Sequence, residues 1–194
     1  MSSKAVQLAN YTPGKDYSPG APLLKQLLWF YIGSPLVISN WLPFSGLKVK
    51  LLRLFGASIG TGVRIKPGLR VKFPWRLTVG EDCWLGENAW IDNLAPVTLE
   101  SNVCLSQDVY LCTGNHDWGK PTFDLRLGSI HIEQSAWVGA RAVVGPGVTV
   151  GAGAVLALGG ATSRNLESWT IYAGNPAQPV KKRELASSES ASGF

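Results

Sequence analysis

The 194-residue chain is poor in the groups that build metal centres and disulfide scaffolds, with two histidines and three cysteines. Two imidazoles are too few for a three-histidine zinc cluster. Cys83, Cys104 and Cys112 are odd in number and lie inside apolar repeat segments. They argue against a disulfide framework and for free thiols in a reducing, cytoplasmic setting. Long hydrophobic runs are also missing. The most apolar stretch, Leu23 to Ile32, is far shorter than the ~20 residues that span a bilayer, and Gly33 and Pro35 are expected to interrupt its continuation. The first twenty residues are polar, so no cleavable leader is expected. No zinc-finger, helix-turn-helix or RNA-binding signature accompanies the net charge of +5. That charge therefore points away from nucleic acid, toward phosphorylated small molecules or an anionic membrane surface.

What is abundant is glycine, 22 residues, and proline, 12 residues, as in an all-β repeat protein with frequent turns. The length suits one solenoid with appended ends. From Ile59 an aliphatic residue returns every six positions: Ile59, Ile65, Val71; Val79, Leu85, Ile91; Leu99, Leu105, Leu111; and, after an interruption, Ile132, Val138, Val144, Val150, Leu156. Side chains alternate in and out along a strand, so this period predicts short strands joined by tight turns, three to a coil. Coil starts at 59, 79 and 99 predict parallel stacking with one corner slightly enlarged. Glycines directly after the aliphatic, at positions 60, 80, 86, 139, 145 and 151, are expected to serve the turns.

Ahead of the ladder, residues 1–22 read as an extended arm lying on something else. Ser34 and Pro35 look like an N-cap and first helical position, opening a segment toward Trp41. Leu47, Leu51, Leu54 and Phe55 recur at helical spacing, with Lys48, Lys50 and Arg53 between them and Gly56 as a stop. The region reads as a helical cap on the open end of the solenoid or as a membrane-surface anchor, and the two are compatible. The expected organisation is an arm and helical cap over 1–57, a β-helix over 58–178 with a projecting loop at 117–131, and a basic turn with a flexible tail over 179–194.

The segments Ile59-Gly-Thr-Gly-Val and Val138-Gly-Ala-Arg-Ala-Val-Val-Gly-Pro-Gly-Val-Thr-Val-Gly-Ala-Gly-Ala-Val resemble the hexapeptide-repeat acyltransferases, over roughly residues 47–183. The general rule for parallel crossovers would predict a right-handed coil; the resemblance implies a left-handed parallel β-helix. It also implies homotrimers with sites between subunits, acetyl-coenzyme A as donor and no metal. Leu51–Gly60, Pro74–Gly80, Tyr110–Asp117 and Gly174–Ala177 resemble the colanic acid biosynthesis acetyltransferases more closely than the maltose or galactoside acetyltransferases. That implies O-acetylation of a sugar in exopolysaccharide or lipopolysaccharide assembly. A lipid-linked sugar acceptor would explain residues 23–55 as a surface facing the inner side of the membrane.

The missing rungs between Leu111 and Ile132 mark an insertion, a place where function is commonly attached. At its base, Thr113-Gly114-Asn115-His116 matches the family segment that carries the catalytic histidine. The resemblance makes His116 the general base that takes a proton from the acceptor hydroxyl, a contribution of ~10²- to 10⁴-fold. Asp117 is a candidate to orient the ring or is a solvated loop residue; His131 matches no motif and reads as structural. Cys112 would allow an acyl-enzyme, but the resemblance implies direct transfer and leaves Cys112 to packing. By the same resemblance, backbone near Ala140 and Leu158 contacts the pantetheine arm, Ser163 and Arg164 lie near the nucleotide, and Lys181 lies near its phosphate. Gln178 stands where close relatives have arginine. Trp84 and Asn88, one coil below, correspond to the acceptor zone, though Trp75, Trp84, Trp90 and Trp137 could equally be corner packing. Alternatives are a serine, xenobiotic or antibiotic acetyltransferase, or a non-catalytic hexapeptide scaffold.

Overall fold

Each short strand of the ladder buries one residue and exposes its neighbour, as in Ser58–Ile59, Arg64–Ile65 and Arg70–Val71. The strands belong to a computed structural model that describes residues 5–13 and 17–186. The tail expected to be flexible lies, apart from Ala186, outside the described residues. Turns bring each coil back above the last, giving three parallel sheets that form the faces of a prism. Face A contains Ser58–Ile59, Leu77–Val79, Val97–Leu99, Ile130–Ile132 and Thr149–Val150. Face B runs from Arg64–Ile65 to Thr170–Ala173, and face C from Arg70–Val71 to Ala161–Thr162. The ladder residues stack on one another: Ile59 on Val79 on Leu99, Ile65 on Leu85 on Leu105, Val71 on Ile91 on Leu111. They form a continuous apolar core along the axis. Across the insertion Leu99 pairs with Ile132, Leu105 with Val138 and Leu111 with Val144, so register is kept on all three faces.

The glycines after the aliphatics have a different reason from the one the sequence suggested. A Cβ on Gly86 would lie 2.4 Å from the carbonyl carbon of Ser106, and one on Gly80 would lie 2.6 Å from the amide of Ser101. Close backbone approach of the next coil, not turn conformation, demands glycine there. The left-handed turn positions fall elsewhere, on Asp82, Asn88, Asn102, Asp108 and Arg141, with φ between 53° and 61°.

The N-terminal helices cover the first coil. Gly33 and Pro35 do not interrupt the apolar run: α1 (Leu23–Leu28) passes through a π turn, Trp29–Gly33, directly into α2 (Ser34–Ile38). Ser34 is helical, with φ −61°, and caps nothing. A π turn widens the backbone just where Pro35 lacks an N–H, which lets the helix continue. Gly33 is needed for packing, since a Cβ would sit 2.3 Å from the Trp29 ring. Trp29, Gly33 and Val37 form the buried seam, and the Trp29 indole N–H donates to the Val71 carbonyl at 3.1 Å. The third helix, α3 (Ser45–Leu54), buries Lys48, Val49 and Leu52 against the coils and ends at Gly56, with φ +100°. The Lys48 ammonium donates to the Ser39 carbonyl at 3.3 Å, and burial pushes its pKa below the ordinary lysine value. The arm lies on the prism: the Trp75 indole donates to the Pro19 carbonyl at 2.7 Å, and Arg76 holds the Ser18 carbonyl.

Candidate active site

The insertion leaves the prism at the end of face C. Buried Thr113 fixes the exit, accepting the Ala95 N–H at 3.0 Å and donating to the Asp92 carbonyl at 2.9 Å. Gly114–His116 and Leu125–Leu127 then pair as an antiparallel hairpin, with His116 opposite Leu125. The prism resumes at Ile130, so the loop expected over 117–131 begins earlier and ends earlier. The ladder residue Ile132 is the last of its strand, which is why the sequence placed the boundary too late. His131 lies in face A, its Nε2 2.9 Å from Glu100 Oε1.

His116 is held on three sides. Its Nδ1 lies 2.9 Å from the Phe123 carbonyl oxygen. A carbonyl can only accept, so Nδ1 carries the proton and donates, leaving the Nε2 lone pair free to act as a base. Phe123 offers that carbonyl from a left-handed backbone, φ +51°, and its ring stacks on the imidazole with centroids 4.3 Å apart and planes 6° apart. Tyr11 of the arm meets the imidazole edge-on at 5.5 Å, and the Gln7 N–H donates to the Pro121 carbonyl at 2.8 Å, tying the arm to the hairpin. The Asp117 carboxylate makes its bonds away from the ring. Its Oδ2 pairs with Arg126 at 2.6 Å and its Oδ1 accepts the Gly119 N–H at 3.1 Å, so it braces the hairpin instead.

Beside the hairpin a cleft of 380 Å³ opens on face C, walled by Tyr110, Cys112, Asn115, Pro146, Ser163 and Asn175. Side chains alternate along a strand, so Asn115 faces this cleft while His116 packs with Phe123 and Tyr11. The Cys112 thiol, half-buried on the cleft wall, donates to the Gly114 carbonyl at 3.1 Å. The Tyr110 hydroxyl donates to Asp92 Oδ2 at 3.1 Å, and Lys72 pairs with the other carboxylate oxygen at 3.0 Å. Burial first, then Cys112 and Asp92, raise the Tyr110 pKa far above the ordinary phenol value and keep it protonated.

The other residues singled out from sequence are spread around the prism. Ala140 and Leu158 stack at the corner between faces B and C, where the Gly159 N–H donates to the Ala140 carbonyl at 2.8 Å. Ser163 and Arg164 lie at the opposite edge of face C, just past Ala161–Thr162. Lys181 is on the last strand, opposite Ile171 on face B. Trp84 projects from face B under the Arg64 guanidinium, 4.9 Å from ring centroid, in a 390 Å³ cleft shared with Lys66, Ser106 and Trp137. It is half exposed on a flat face rather than packed in a corner. Asn88 occupies the next turn with φ +57°, a position where asparagine serves the left-handed backbone. Within one chain, Trp84 and Asn88 stand a prism corner away from His116. No motif pointed to Tyr11, more than a hundred residues from its contact, or to the Phe123 carbonyl.

Comparison with known proteins agrees with this architecture. The family described as "Hexapeptide repeat of succinyl-transferase" matches residues 76–111 and 129–159. WcaF of Escherichia coli (strain K12), provisionally named as a colanic acid biosynthesis acetyltransferase, is 33% identical over 181 residues, covering 91% of this chain and 96% of its own. Among solved structures, the hexapeptide-repeat acetyltransferase VCA0836 of Vibrio cholerae O1 biovar eltor, complexed with acetyl-coenzyme A, matches with a TM-score of 0.75 at 19% identity, covering 84% of this chain and 88% of that one. A galactoside acetyltransferase in complex with coenzyme A matches with a TM-score of 0.72 at 20% identity, covering 83% and 82%. With the similarity to WcaF running over nearly the whole of both chains, on a β-helix whose one large insertion carries a histidine, this chain belongs to the hexapeptide-repeat acetyltransferases.

Proposed function

We propose that this acetyltransferase moves an acetyl group from acetyl-coenzyme A directly to a sugar hydroxyl in exopolysaccharide or lipopolysaccharide assembly, with His116 as general base. The observation that carries the reading is the bond from His116 Nδ1 to the Phe123 carbonyl. It holds the ring in the tautomer whose Nε2 can accept a proton. An acceptor hydroxyl is a poor nucleophile until that proton leaves. As its oxygen attacks the thioester carbonyl carbon, His116 Nε2 takes the proton, and when the carbon–sulfur bond breaks the imidazolium returns it to the departing thiolate. Nothing in the chain needs to be acylated, and the Cys112 thiol is turned toward the Gly114 carbonyl.

The cleft on face C has room for part of the donor, but Asn115 rather than His116 faces it, so the thioester must pass round the hairpin edge to reach the imidazole. The cleft borders Asn115, the neighbour of His116, and reaches Ser163, near which Arg164 provides a cation for phosphate. Ala140 and Leu158 at the far corner, and Lys181 beyond it, fit the same ligand only if a neighbouring copy closes the groove. Trp84 and Asn88 likewise meet His116 only across a subunit boundary. A homotrimer with sites between subunits follows from this spread, and a polysaccharide acceptor made on a lipid carrier would put the protein in the cytoplasm at the inner face of the membrane. WcaF similarity supports the polysaccharide context.

The test is calorimetric titration with acetyl-coenzyme A, followed by release of free thiol in the presence of sugar acceptors. His116→Ala should bind acetyl-coenzyme A as the parent does and lose transfer; Cys112→Ala should keep most of it. The reverse pattern would sink direct transfer.

A further inference from the structure

The helical cap has an outer surface that water should not face. A surface helix normally turns polar residues outward. Here Leu24, Leu28, Tyr31 and Leu36 are all exposed, although Trp29, Gly33 and Val37 already supply the buried seam. In the connection beyond α2, Trp41 is 97% exposed and Phe44 is exposed as well. So many exposed large apolar side chains within one short segment mark a docking surface.

Charge identifies what docks. Residues 17–80, which form the cap and the first coil, contain nine Lys and Arg and no Asp or Glu, whereas the remaining 130 residues carry nine cations and thirteen acids. Lys48 is buried and Lys72 pairs with Asp92, but Lys50, Arg53, Arg64, Lys66 and Arg70 are exposed. Two copies meeting cap to cap would set the cations of one helical cap against those of the other, since residues 17–57 carry no acid. A groove of 430 Å³ between the helices and the first coils repeats the pairing: Leu23, Leu27, Phe30 and Trp90 wall it, and Arg70 and Lys72 border it. Apolar side chains flanked by cations match a bilayer interface, where acyl chains lie below anionic headgroups. No helix among the described residues is long and apolar enough to cross a membrane, so the cap would lie on the lipid rather than through it.

We propose that the helical cap of residues 23–54 is a docking surface for an anionic lipid bilayer. Apolar insertion and cation attraction act together, as the two signals that stable surface anchoring needs. The cap then seats the first-coil end of the prism on the membrane and leaves the hairpin, two coils further on, above the headgroups. The proposal does not depend on the acceptor assignment, because vesicle binding is read without acetyl transfer.

The experiment is co-sedimentation of the full chain with phosphatidylcholine vesicles containing or lacking phosphatidylglycerol, at low and high salt. The parent should bind the phosphatidylglycerol vesicles, more weakly as salt rises, and bind phosphatidylcholine alone poorly. Trp41→Ser/Phe44→Ser should lower partitioning at least about tenfold, since both side chains are large and apolar, and Lys50→Glu/Arg70→Glu should lower it further at low salt. Circular dichroism and acetyl-coenzyme A titration establish that the variants are folded. Absence of vesicle binding by the parent would overturn the proposal, as would equal binding by both folded variants. So would a Trp41→Ser/Phe44→Ser protein that keeps its vesicle binding but changes oligomeric state, because the surface would then be covered by a second copy.

Discussion

Replacing Phe123 with alanine separates orientation of the imidazole from the imidazole itself. The substitution leaves the backbone carbonyl that accepts from His116 Nδ1 but removes the ring stacked 4.3 Å away. An aromatic pair of this geometry contributes ~0.5–1.5 kcal/mol. If that contact serves to hold His116 ready for proton transfer, kcat should fall about 2- to 13-fold on the scale of ~1.4 kcal/mol per tenfold. The Kd for acetyl-coenzyme A should stay where it is, because Phe123 does not line the cleft that holds Asn115 and Ser163. His116→Ala removes the proposed base and should cost the full ~10²- to 10⁴-fold. Thiol release under saturating donor gives kcat for both variants, calorimetry gives the Kd, and thermal melting shows whether the hairpin survives. A Phe123→Ala protein as inactive as His116→Ala, at unchanged melting temperature, would refute the reasoning, since the carbonyl would then not suffice to hold the productive tautomer. A His116→Ala protein with near-parental kcat would refute the general-base role itself.

Asp117→Asn weakens the pair with Arg126 without touching the imidazole, so transfer should change less than about threefold and stability by less than ~1 kcal/mol, the range of partly exposed pairs; a His116-like loss in the thiol-release assay would mean the carboxylate acts on the ring after all. Gly86→Ala forces a Cβ to within 2.4 Å of the Ser106 backbone and should destabilise by ~2 kcal/mol or more through overpacking, read as a lower denaturant midpoint; an unchanged midpoint would show that the coils can separate to admit it. Lys48→Met should be neutral or stabilising near neutral pH, because burial disfavours the charged amine. Its folded pKa lies below the unfolded value, so the unfolded chain binds more protons between the two, and the parent's stability rises with pH through that window. The advantage of Lys48→Met should therefore shrink as pH climbs toward the ordinary lysine value, and an advantage that grew with pH would contradict the assignment.

The prism was legible because its period is physical. One inward residue per six fixed Ile59, Val79 and Leu99 as neighbours in a stack, and their pairing follows from that spacing. The failure of the ladder between Leu111 and Ile132 showed the insertion for the same reason. The N-terminal helices were read less well. Gly33 and Pro35 are helix breakers by propensity, and only the tertiary contact of Trp29 with Val71, together with a widened turn, lets the helix pass through them. Around His116 the histidine itself could be found in a motif, but its partner is a main-chain oxygen set by a left-handed φ at a phenylalanine, which no residue-type pattern encodes. The sequence-adjacent Asp117 was the obvious candidate to orient the ring, yet the hairpin directs it to Arg126.

The unbroken register on both sides of the hairpin has a further bearing. Val97 meets Ile130, Cys104 meets Trp137 and Tyr110 meets Val143 as though the intervening chain were absent. In a stack where each coil touches only its neighbours, the scaffold is mechanically insulated from whatever is threaded out of that corner. The hairpin can be lengthened, shortened or exchanged with that of another acetyltransferase at Thr113 and Gly128, whose N–H to carbonyl bond at 3.0 Å closes its neck. A graft at those two residues should keep the parent's melting temperature while changing transfer, because the hairpin carries His116 and its Phe123 partner.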